Sequence, residues 1–245
     1  MISATFRFYA GLNDFLPKAC RQHAQRRSFN DRPAVKDPIE ALGVPHPEVG
    51  RVVVDGRAVG LDYRLEDGDR VAVYPEFATL DPGDEGRLRP PPPEAFLLDV
   101  HLGALARRLR LLGIDTAYTN DLDDPQLVQR AQDETRILLT RDRKLLCHGA
   151  LVHGAWLRAT DPELQVAEVL GRFSTPLEPF SRCLSCNGRL IEVDMARVAK
   201  RLPDHVRRTA PRVVRCALCD QLYWPGSHHT RLRARVDRYL AWRSA

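Results

Sequence analysis

Two Cys-x-x-Cys pairs near the C-terminal end constrain the fold of this chain more than any other feature of its sequence. Cys183 pairs with Cys186 and Cys216 with Cys219, and 29 residues separate the pairs. Each pair can form a tight turn whose thiolates reach one tetrahedral ion, so two pairs make a closed four-cysteine site. We predict a zinc ribbon with structural Zn²⁺, in which a helix over 191–205 absorbs the long separation. A redox-active disulfide is the alternative.

Nothing in the sequence predicts a membrane segment or an export signal. No apolar run approaches the roughly 20 residues that a membrane-spanning helix needs, and the N-terminal residues alternate like a strand. We therefore expect a cytoplasmic protein, in which thiols stay reduced and paired cysteines bind metal. The other two cysteines, Cys20 and Cys147, have no partner at a suitable spacing, and we expect both to be buried, inert thiols.

Positive charge is concentrated near the C-terminal end. The chain carries 37 Lys and Arg against 32 Asp and Glu, a formal net charge of +5. Residues 176–245 alone hold 14 basic and 6 acidic side chains, a surplus of 8. Such a segment predicts a polyanionic partner such as RNA, whereas a solvated arginine-rich surface is the alternative.

Turn-forming and proline-rich stretches divide the chain. Residues 81–86 have the composition of a turn, and the four prolines 90–93 cannot join a helix or a sheet ladder. A softer boundary lies near Pro176, before the first cysteine pair. The expected divisions are a first domain over 1–80, a linker over 81–95, a second domain over 96–175 and a ribbon with a basic helix over 176–245.

The first domain has the pattern of a small α+β sheet with a hairpin turn at Asp55 and Gly56. Its segments 54–56, 65–71 and 74–75 resemble a ubiquitin-like β-grasp domain of the sulfur-carrier type. A sulfur carrier ends on an exposed Gly-Gly, but this chain continues without one. Sulfur transfer is therefore excluded, and the domain is expected to contact a protein partner or RNA.

Aspartates follow the strands of the second domain where those strands end. Asp99 and Asp142 each follow a short apolar strand, and Asp121 and Asp124 lie in the loop after another strand. Alternating strands and helices favour a parallel sheet, whose carboxyl ends meet at one edge. Converging carboxylates repel one another unless a cation neutralises them, and oxygen ligands suit Mg²⁺ or Mn²⁺. The alternative is that each aspartate caps a turn or a helix.

Four segments give the second half of the chain a specific resemblance: 99–116, 137–146, 182–187 and 223–228. Together they resemble the Mut-seven C-terminal RNase domain family, over about 96–233. That family combines a PIN-like nuclease fold with a zinc ribbon, and its bacterial members commonly carry a ubiquitin-like domain in front. The resemblance therefore implies a metal-dependent ribonuclease.

The resemblance also implies roles for single residues. Asp99 and Asp142 match the firmest members of the metal site, and Asp124 and Asp121 would be its third and fourth members. Basic side chains near them would contact RNA phosphates, with ion pairing to the same aspartates as the alternative. These candidate RNA contacts are Arg107, Arg110 and Arg141, and the resemblance adds His228 at the end of the ribbon as a further candidate.

The combined prediction is a multidomain α+β and α/β protein. It has an N-terminal ubiquitin-like β-grasp domain, a PIN-like α/β domain with a parallel sheet, and a C-terminal four-cysteine zinc ribbon. Its expected function is hydrolysis of RNA phosphodiester bonds at an aspartate-held Mg²⁺ or Mn²⁺ site, with the ribbon aiding RNA binding. The alternative is a non-catalytic RNA-binding or ribosome-associated adaptor. The sequence leaves open the RNA substrate, endonucleolytic or exonucleolytic cleavage, and the oligomeric state.

Overall fold

The computed structural model describes residues 1–76 and 86–243. The expected domain boundary at residue 80 and the first part of the expected linker, 81–85, lie outside these residues. The chain forms two compact units, and segments of the predicted nuclease domain belong to each. The first unit comprises Met1–Pro92, Asp124–Glu134 and Thr140–Trp156, and the second comprises Pro93–Asp123, Thr135–Leu139 and Leu157–Ala245.

A five-stranded mixed sheet forms most of the first unit, with strand order β2-β1-β5-β3-β4. Strands β1 and β5 are parallel, and the other neighbours are antiparallel. A sheet with its first and last strands side by side and a helix between its hairpins has the arrangement of a β-grasp fold. Its elements are β1 (Ile2–Phe8), β2 (Gln25–Phe29), α1 (Lys36–Ala41), β3 (Val49–Val54), β4 (Arg57–Val59) and β5 (Arg70–Pro75).

Alternate side chains of the central strands build the core of this sheet. Phe6 and Phe8 of β1 and Val71 and Val73 of β5 are buried, and Ile39 of α1 is buried with them. Successive side chains of a strand point to opposite faces, so the residues between these apolar ones lie on the other face of the sheet. The alternation of apolar and other residues along each strand therefore determines which face of the sheet packs against α1 and the rest of the core.

The predicted hairpin turn between β3 and β4 is confirmed. Asp55 and Gly56 both have positive φ, 47° and 84°. Tight two-residue hairpins need positive φ at both central positions, which is why Asp-Gly is favoured there. The turn pairs Val54 directly with Arg57.

The described part of the expected linker up to Pro92 belongs to the first unit. Leu88 packs against the core of the five-stranded sheet. The guanidinium of Arg89 donates to the carbonyl oxygens of His46 at 3.2 Å, Pro47 at 2.6 Å and Val152 at 3.2 Å. Because these bonds fix the side chain from several directions, this stretch is anchored and does not act as a free spacer.

The following segment alternates strands and helices, as predicted. Strand β6 lies between β7 and β8 and is parallel to both, with Leu98 opposite Tyr118 on one side and Leu139 on the other. Strands β6 and β8 are buried throughout, which confirms the predicted parallel sheet. The elements are β6 (Phe96–Leu98), α2 (Gly103–Leu111), β7 (Thr116–Tyr118), α3 (Asp124–Asp133), β8 (Ile137–Thr140), α4 (Arg143–Leu146), β9 (Gly154–Trp156) and α5 (Pro162–Arg172).

Helix α2 ends where the sequence predicts, just before Gly113. This glycine has φ of 82°, and a Cβ atom there would lie 2.0 Å from the carbonyl oxygen of Glu178. A larger residue would therefore be strained and would push away the chain that approaches it.

Within the first unit, β9 and α4 pack against N-terminal residues through two aromatic rings and an arginine. The ring of Trp156 lies 5.1 Å from that of Phe15. The Arg143 guanidinium lies over both rings, 3.9 Å from the Trp156 centroid and 5.2 Å from the Phe15 centroid. The backbone N–H of Trp156 donates to the carboxylate of Glu48 at 2.6 Å. A tilted pair of aromatic rings and cation–π contacts thus hold β9 in this unit.

The ribbon in the second unit is a three-stranded antiparallel sheet with order β10-β11-β12. The predicted helix over 191–205 is partly wrong, because its first residues pair as β10 and its remainder forms short helices separated near Pro203. The predicted C-terminal helix is confirmed. The elements are β10 (Leu190–Val193), α6 (Met195–Val198), α7 (Asp204–Thr209), β11 (Val213–Cys216), β12 (Leu222–Tyr223) and α8 (Ser227–Arg243).

Two smaller expectations are also tested by the described residues. The expectation of two buried lone thiols is wrong, because Cys147 is exposed and Cys20 is only half-buried. Cys20 is the last residue of a short helical turn, and Cys147 directly follows α4. None of the helices within 1–76 and 86–243 combines the length and apolar character needed to cross a membrane.

Candidate metal centre and nuclease site

The four predicted cysteine ligands meet at one point. The sulfur atoms of Cys183, Cys186, Cys216 and Cys219 all lie within 4.8 Å of one another. The Sγ atoms of Cys183 and Cys219 are 3.6 Å apart, and those of Cys186 and Cys216 are 3.4 Å apart. A tetrahedral ion with Zn–S bonds of about 2.3 Å needs sulfur separations of about 3.8 Å. The centre can therefore hold a metal such as zinc.

Both cysteine turns have the same backbone construction. The N–H of Asn187 donates to the carbonyl of Cys183 at 3.0 Å, and that of Asp220 donates to the carbonyl of Cys216 at 3.2 Å. Asn187 and Asp220 have φ of 71° and 61°. Asn and Asp tolerate this left-handed conformation better than most residues. An Asn or Asp directly after each pair is a sequence signal for these turns that the spacing argument missed.

Hydrogen bonds to Cys183 favour its thiolate form. Burial opposes the charge, but the hydroxyl of Tyr223, 3.1 Å away, and the backbone N–H groups of Cys186 and Ser185 lower the pKa of Cys183 to about 6. The thiolate is the form of cysteine that binds metal. Tyr223, which sequence reasoning did not connect with the cysteines, thus belongs to the surroundings of the metal centre.

The first cysteine turn is attached to the parallel sheet by a buried arginine. Arg110 of α2 is 4% exposed. It donates to the carbonyl oxygens of Leu184 at 3.1 Å, Ser185 at 2.7 Å and Thr116 at 2.9 Å. The side-chain oxygen of Asn187 accepts from the N–H of Thr116 at 3.0 Å. The metal centre and the parallel strands are therefore joined within the second unit.

Asp115 supports the same attachment from the start of β7. Its carboxylate accepts from Asn187 at 2.8 Å and Arg136 at 2.6 Å, and lies 2.9 Å from a nitrogen of Arg182. Burial opposes ionisation, but these hydrogen bonds and cations lower the pKa of Asp115. The carboxylate stays charged at neutral pH and links the cysteine turn to the strands.

We expect replacement of Arg110 by Met to destabilise the second unit by roughly 3 kcal/mol, because it removes three hydrogen bonds and leaves carbonyl groups without a donor. Thermal unfolding and the rate of metal release to a chelator should both report the change. Arg107→Met is the matched control, since Arg107 is an exposed arginine on the same helix. Equal effects of the two substitutions would contradict the anchoring role.

Two of the four candidate carboxylates lie at the carboxyl ends of strands in the second unit. Asp99 directly follows β6, is 4% exposed and accepts from the N–H of His101 at 2.8 Å. Asp121 follows β7, is exposed and accepts from the hydroxyl of Thr119. Each carboxylate thus stabilises a local turn, which is the alternative role considered from the sequence.

The other two candidate carboxylates belong to the first unit. Asp142 comes two residues after β8 and caps α4 by accepting from the N–H of Lys144 at 2.7 Å. Asp124 is the first residue of α3, and both carboxylates are exposed. In the described part of the chain, the cysteine centre is the group of three or more potential ligands whose donor atoms lie within 4.8 Å of one another. The aspartates do not form such a group.

The four candidate RNA contacts differ in exposure. Arg107 and Arg141 are exposed, whereas Arg110 is buried with its donors bound to carbonyl groups. His228 is exposed beside a cavity of about 340 Å³ in the ribbon. The side chains around this cavity are those of His205, Leu222, Tyr223, Trp224, His228 and His229.

Part of the positive charge of the C-terminal segment is neutralised by Glu163 of α5. Its carboxylate lies 3.0 Å from Arg108, 3.4 Å from Arg235 and 2.8 Å from Arg238. Two of these arginines belong to α8, which packs against α5. The charge surplus of residues 176–245 therefore overstates the cationic surface that α8 offers to RNA.

The fold and the site define a protein with a β-grasp domain, a parallel α/β sheet with aspartates after its strands, and a cluster of four cysteines that can hold a metal. The Mut7-C RNAse domain family matches residues 94–236, and the Mut7-C ubiquitin family matches residues 1–81. The first match covers more than half of the 245 residues, so the chain belongs to the Mut7-C RNAse domain family. The resemblance inferred from the sequence, including the ubiquitin-like domain in front, is confirmed.

Other comparisons add little. Among solved structures, the chain is similar to the crystal structure of SAMP1 from Haloferax volcanii, with 20% identity, 31% of this chain and 97% of that chain covered, and a TM-score of 0.25. A likeness at this TM-score supports no structural conclusion. No curated protein matches the chain significantly.

Family membership supports a nuclease-type function with RNA as the substrate, and the ubiquitin-like domain is suited to a protein interaction.

Proposed function

We propose that the chain is a metal-dependent ribonuclease of PIN-like type. The chain belongs to an RNase family, and the observation that carries this proposal is the placement of two aspartates after neighbouring strands. Strands β6 and β8 are parallel neighbours. Asp99 directly follows β6, and Asp142 comes two residues after β8. Open parallel sheets bind ligands at the carboxyl ends of their strands. Asp124 and Asp121 are the proposed third and fourth members of the site.

The donor set fits a hard divalent cation. All four candidates offer carboxylate oxygens, the ligands that Mg²⁺ and Mn²⁺ prefer. A cation held by Asp99, Asp142 and one or both loop aspartates supplies a Lewis acid beside the scissile phosphodiester. Arg107 and Arg141 would orient the RNA backbone. Arg110 would act indirectly, by fixing the cysteine turn.

We propose that the cysteine centre holds structural Zn²⁺. Its four thiol ligands leave no position for substrate, and the ribbon's role is to present the basic helix α8 and His228 to RNA. A cytoplasmic location stays part of the proposal, because thiols remain reduced there and two Cys-x-x-Cys pairs can then bind metal. We retain the division into 1–80, 81–95, 96–175 and 176–245 as the proposed domain organisation.

A non-catalytic RNA-binding or ribosome-associated adaptor is the second candidate. The caps made by Asp99 and Asp142 favour it, because each carboxylate already has a structural partner in the N–H groups of His101 and Lys144. On this reading the acidic residues stabilise turns, and the ribbon alone provides affinity for RNA.

RNA cleavage in defined metal conditions separates the two candidates. Full-length protein is incubated with 5′-labelled single-stranded and hairpin RNA in Mn²⁺, in Mg²⁺ and after removal of divalent cations. We expect cleavage in Mn²⁺ or Mg²⁺ that stops when the cation is removed, together with RNA binding in every condition. Binding without cleavage in all conditions would overturn the ribonuclease and support the adaptor.

A further inference from the structure

The open face of the β-grasp sheet carries an arginine on each of four strands. Arg7 lies on β1, Arg26 on β2, Arg51 on β3 and Arg70 on β5. In its strand, each arginine is flanked by residues whose side chains point towards the opposite, buried face of the sheet. Arg7, Arg26 and Arg70 are exposed, and Arg51 is half-buried. We call these four residues the arginine face.

Strand register brings these arginines together. Thr5 of β1 is paired with Arg26 on one side and Arg70 on the other. Arg51 is paired with Tyr74 of β5, four residues further along that strand than Arg70. Four residues of strand span about 13 Å, and neighbouring strands are about 4.8 Å apart. The four cations therefore occupy one continuous patch.

The described strand residues of this patch add no negative charge to it. None of the residues of β1, β2, β3 and β5 on the open face is acidic. Asp67 lies at one corner, where it accepts from Ser3 and sits in the field of Arg26. Within the described residues, Arg7 and Arg70 form no ion pair with a carboxylate. The patch consequently keeps a net positive charge.

Two stacked tyrosines accompany the arginines on the same face. The rings of Tyr9 and Tyr74 have centroids 4.5 Å apart and planes inclined by 11°. The Arg7 guanidinium lies 5.5 Å from the Tyr9 centroid. Cations that contact phosphates, combined with aromatic rings that stack on bases, are the two elements by which proteins hold single-stranded nucleic acid.

We propose that the arginine face binds single-stranded RNA, with guanidinium groups on phosphates and the tyrosine pair against a base. The choice of RNA rests on the proposed ribonuclease function. A protein partner with an apolar surface fits the face less well, because the apolar residues here are small, Val53 and Ala72, and a surplus of positive charge favours a polyanion. The ubiquitin-like domain would thus be a second RNA contact in the same chain.

Binding of RNA by charge-reversed variants tests this proposal. Full-length Asp99→Asn protein without added Mg²⁺ or Mn²⁺ is titrated into 5′-fluorescein single-stranded RNA of mixed sequence, and anisotropy is followed at several salt concentrations. The face variant is Arg26→Glu with Arg70→Glu, and the control is Arg27→Glu with Arg57→Glu. We expect the face variant to bind RNA at least about tenfold more weakly than the control. The plot of log binding constant against log salt concentration should also be less steep by about 1.4, because two phosphate contacts are lost.

The control changes the net charge by the same amount on the other side of the sheet. Arg27 is paired with buried Ala4 and Arg57 with buried Val54, so both arginines leave their strands on the side opposite to the arginine face. Equal affinities of the two double variants would overturn the proposal. If the face variant lost binding to an acidic peptide but kept its affinity for RNA, the result would overturn the proposal in favour of a protein partner.

Crosslinking of the unsubstituted chain keeps the test independent of folding in the variants. RNA containing 4-thiouridine is irradiated with the protein, and the crosslinked peptides are identified by mass spectrometry. Crosslinks at Tyr9 or Tyr74 are expected, and crosslinks confined to residues 94–243 would contradict the proposal. Neither measurement needs cleavage, so RNA binding on this face combined with no cleavage by the unsubstituted chain in Mn²⁺ or Mg²⁺ refutes the ribonuclease and leaves the arginine face intact.

Discussion

Asp99→Asn is expected to reduce Mn²⁺-dependent RNA cleavage by about 100-fold or more. The substitution removes one negative charge from the proposed cation site, and loss of a preorganised electrostatic group typically costs 10²- to 10³-fold in rate. Asn keeps a side-chain oxygen that can still accept from the N–H of His101, so the local turn should persist. Initial rates of cleavage of labelled RNA measure the loss.

Asp133→Asn is the control for this substitution. Asp133 is an exposed carboxylate hydrogen-bonded to Gln129, and it lies at the opposite end of α3 from Asp124. Its cleavage rate should equal that of the unsubstituted chain. If Asp99→Asn lowered thermal stability while leaving the rate per folded molecule unchanged, Asp99 would be only a turn cap and the proposed site would be wrong.

Cys216→Ser is expected to abolish stoichiometric zinc binding and to unfold the ribbon. Cys216 is fully buried and terminates β11, and its sulfur faces that of Cys186. Structural zinc supplies on the order of 10 kcal/mol in small zinc domains. The apolar core of the ribbon is small, with Val198, Leu202, Val206, Val213 and Leu222 as its buried members. Such a core leaves much of the stability to the metal.

Zinc content and hydrogen exchange check this expectation. Elemental analysis should give one zinc per unsubstituted chain and close to none for Cys216→Ser. Amides of β10, β11 and β12 should lose protection, whereas those of the five-stranded sheet should keep theirs. Cys147→Ser, which changes an exposed lone thiol, should leave both measurements unaltered. A fully protected, metal-free Cys216→Ser ribbon would show that the cysteine centre is dispensable.

Local sequence patterns predicted the elements and many of their residues. Two Cys-x-x-Cys pairs were sufficient to predict the cysteine centre, because each pair forms its turn from neighbouring residues. The Asp-Gly hairpin and the stop at Gly113 were predicted for the same reason, since both depend on backbone conformations that few residues adopt. The prediction of a helix over 191–205 was partly wrong. Its first residues pair with β11, and this strand pairing overrides the local preference for a helix.

Residues whose role depends on distant partners were harder to predict. Arg110 was a candidate RNA contact because it lies near the acidic residues in sequence, but the carbonyl groups it binds come from residues 116, 184 and 185. Glu163 neutralises arginines of α8 from a segment that precedes the ribbon. The proposed roles of Asp99, Asp121, Asp124 and Asp142 stay predictions, although their positions after strands or at a helix start match the pattern.

By itself, the sequence determined the cysteine centre, the alternation that separates the two faces of each strand, and the membership of an RNase family. These properties are set by spacing and period along the chain. The tertiary structure decided that Arg7, Arg26, Arg51 and Arg70 share one patch, and that Arg110 joins the cysteine turn to the sheet. Strand order and docking bring together residues far apart in sequence, and a local pattern carries no information about such neighbours.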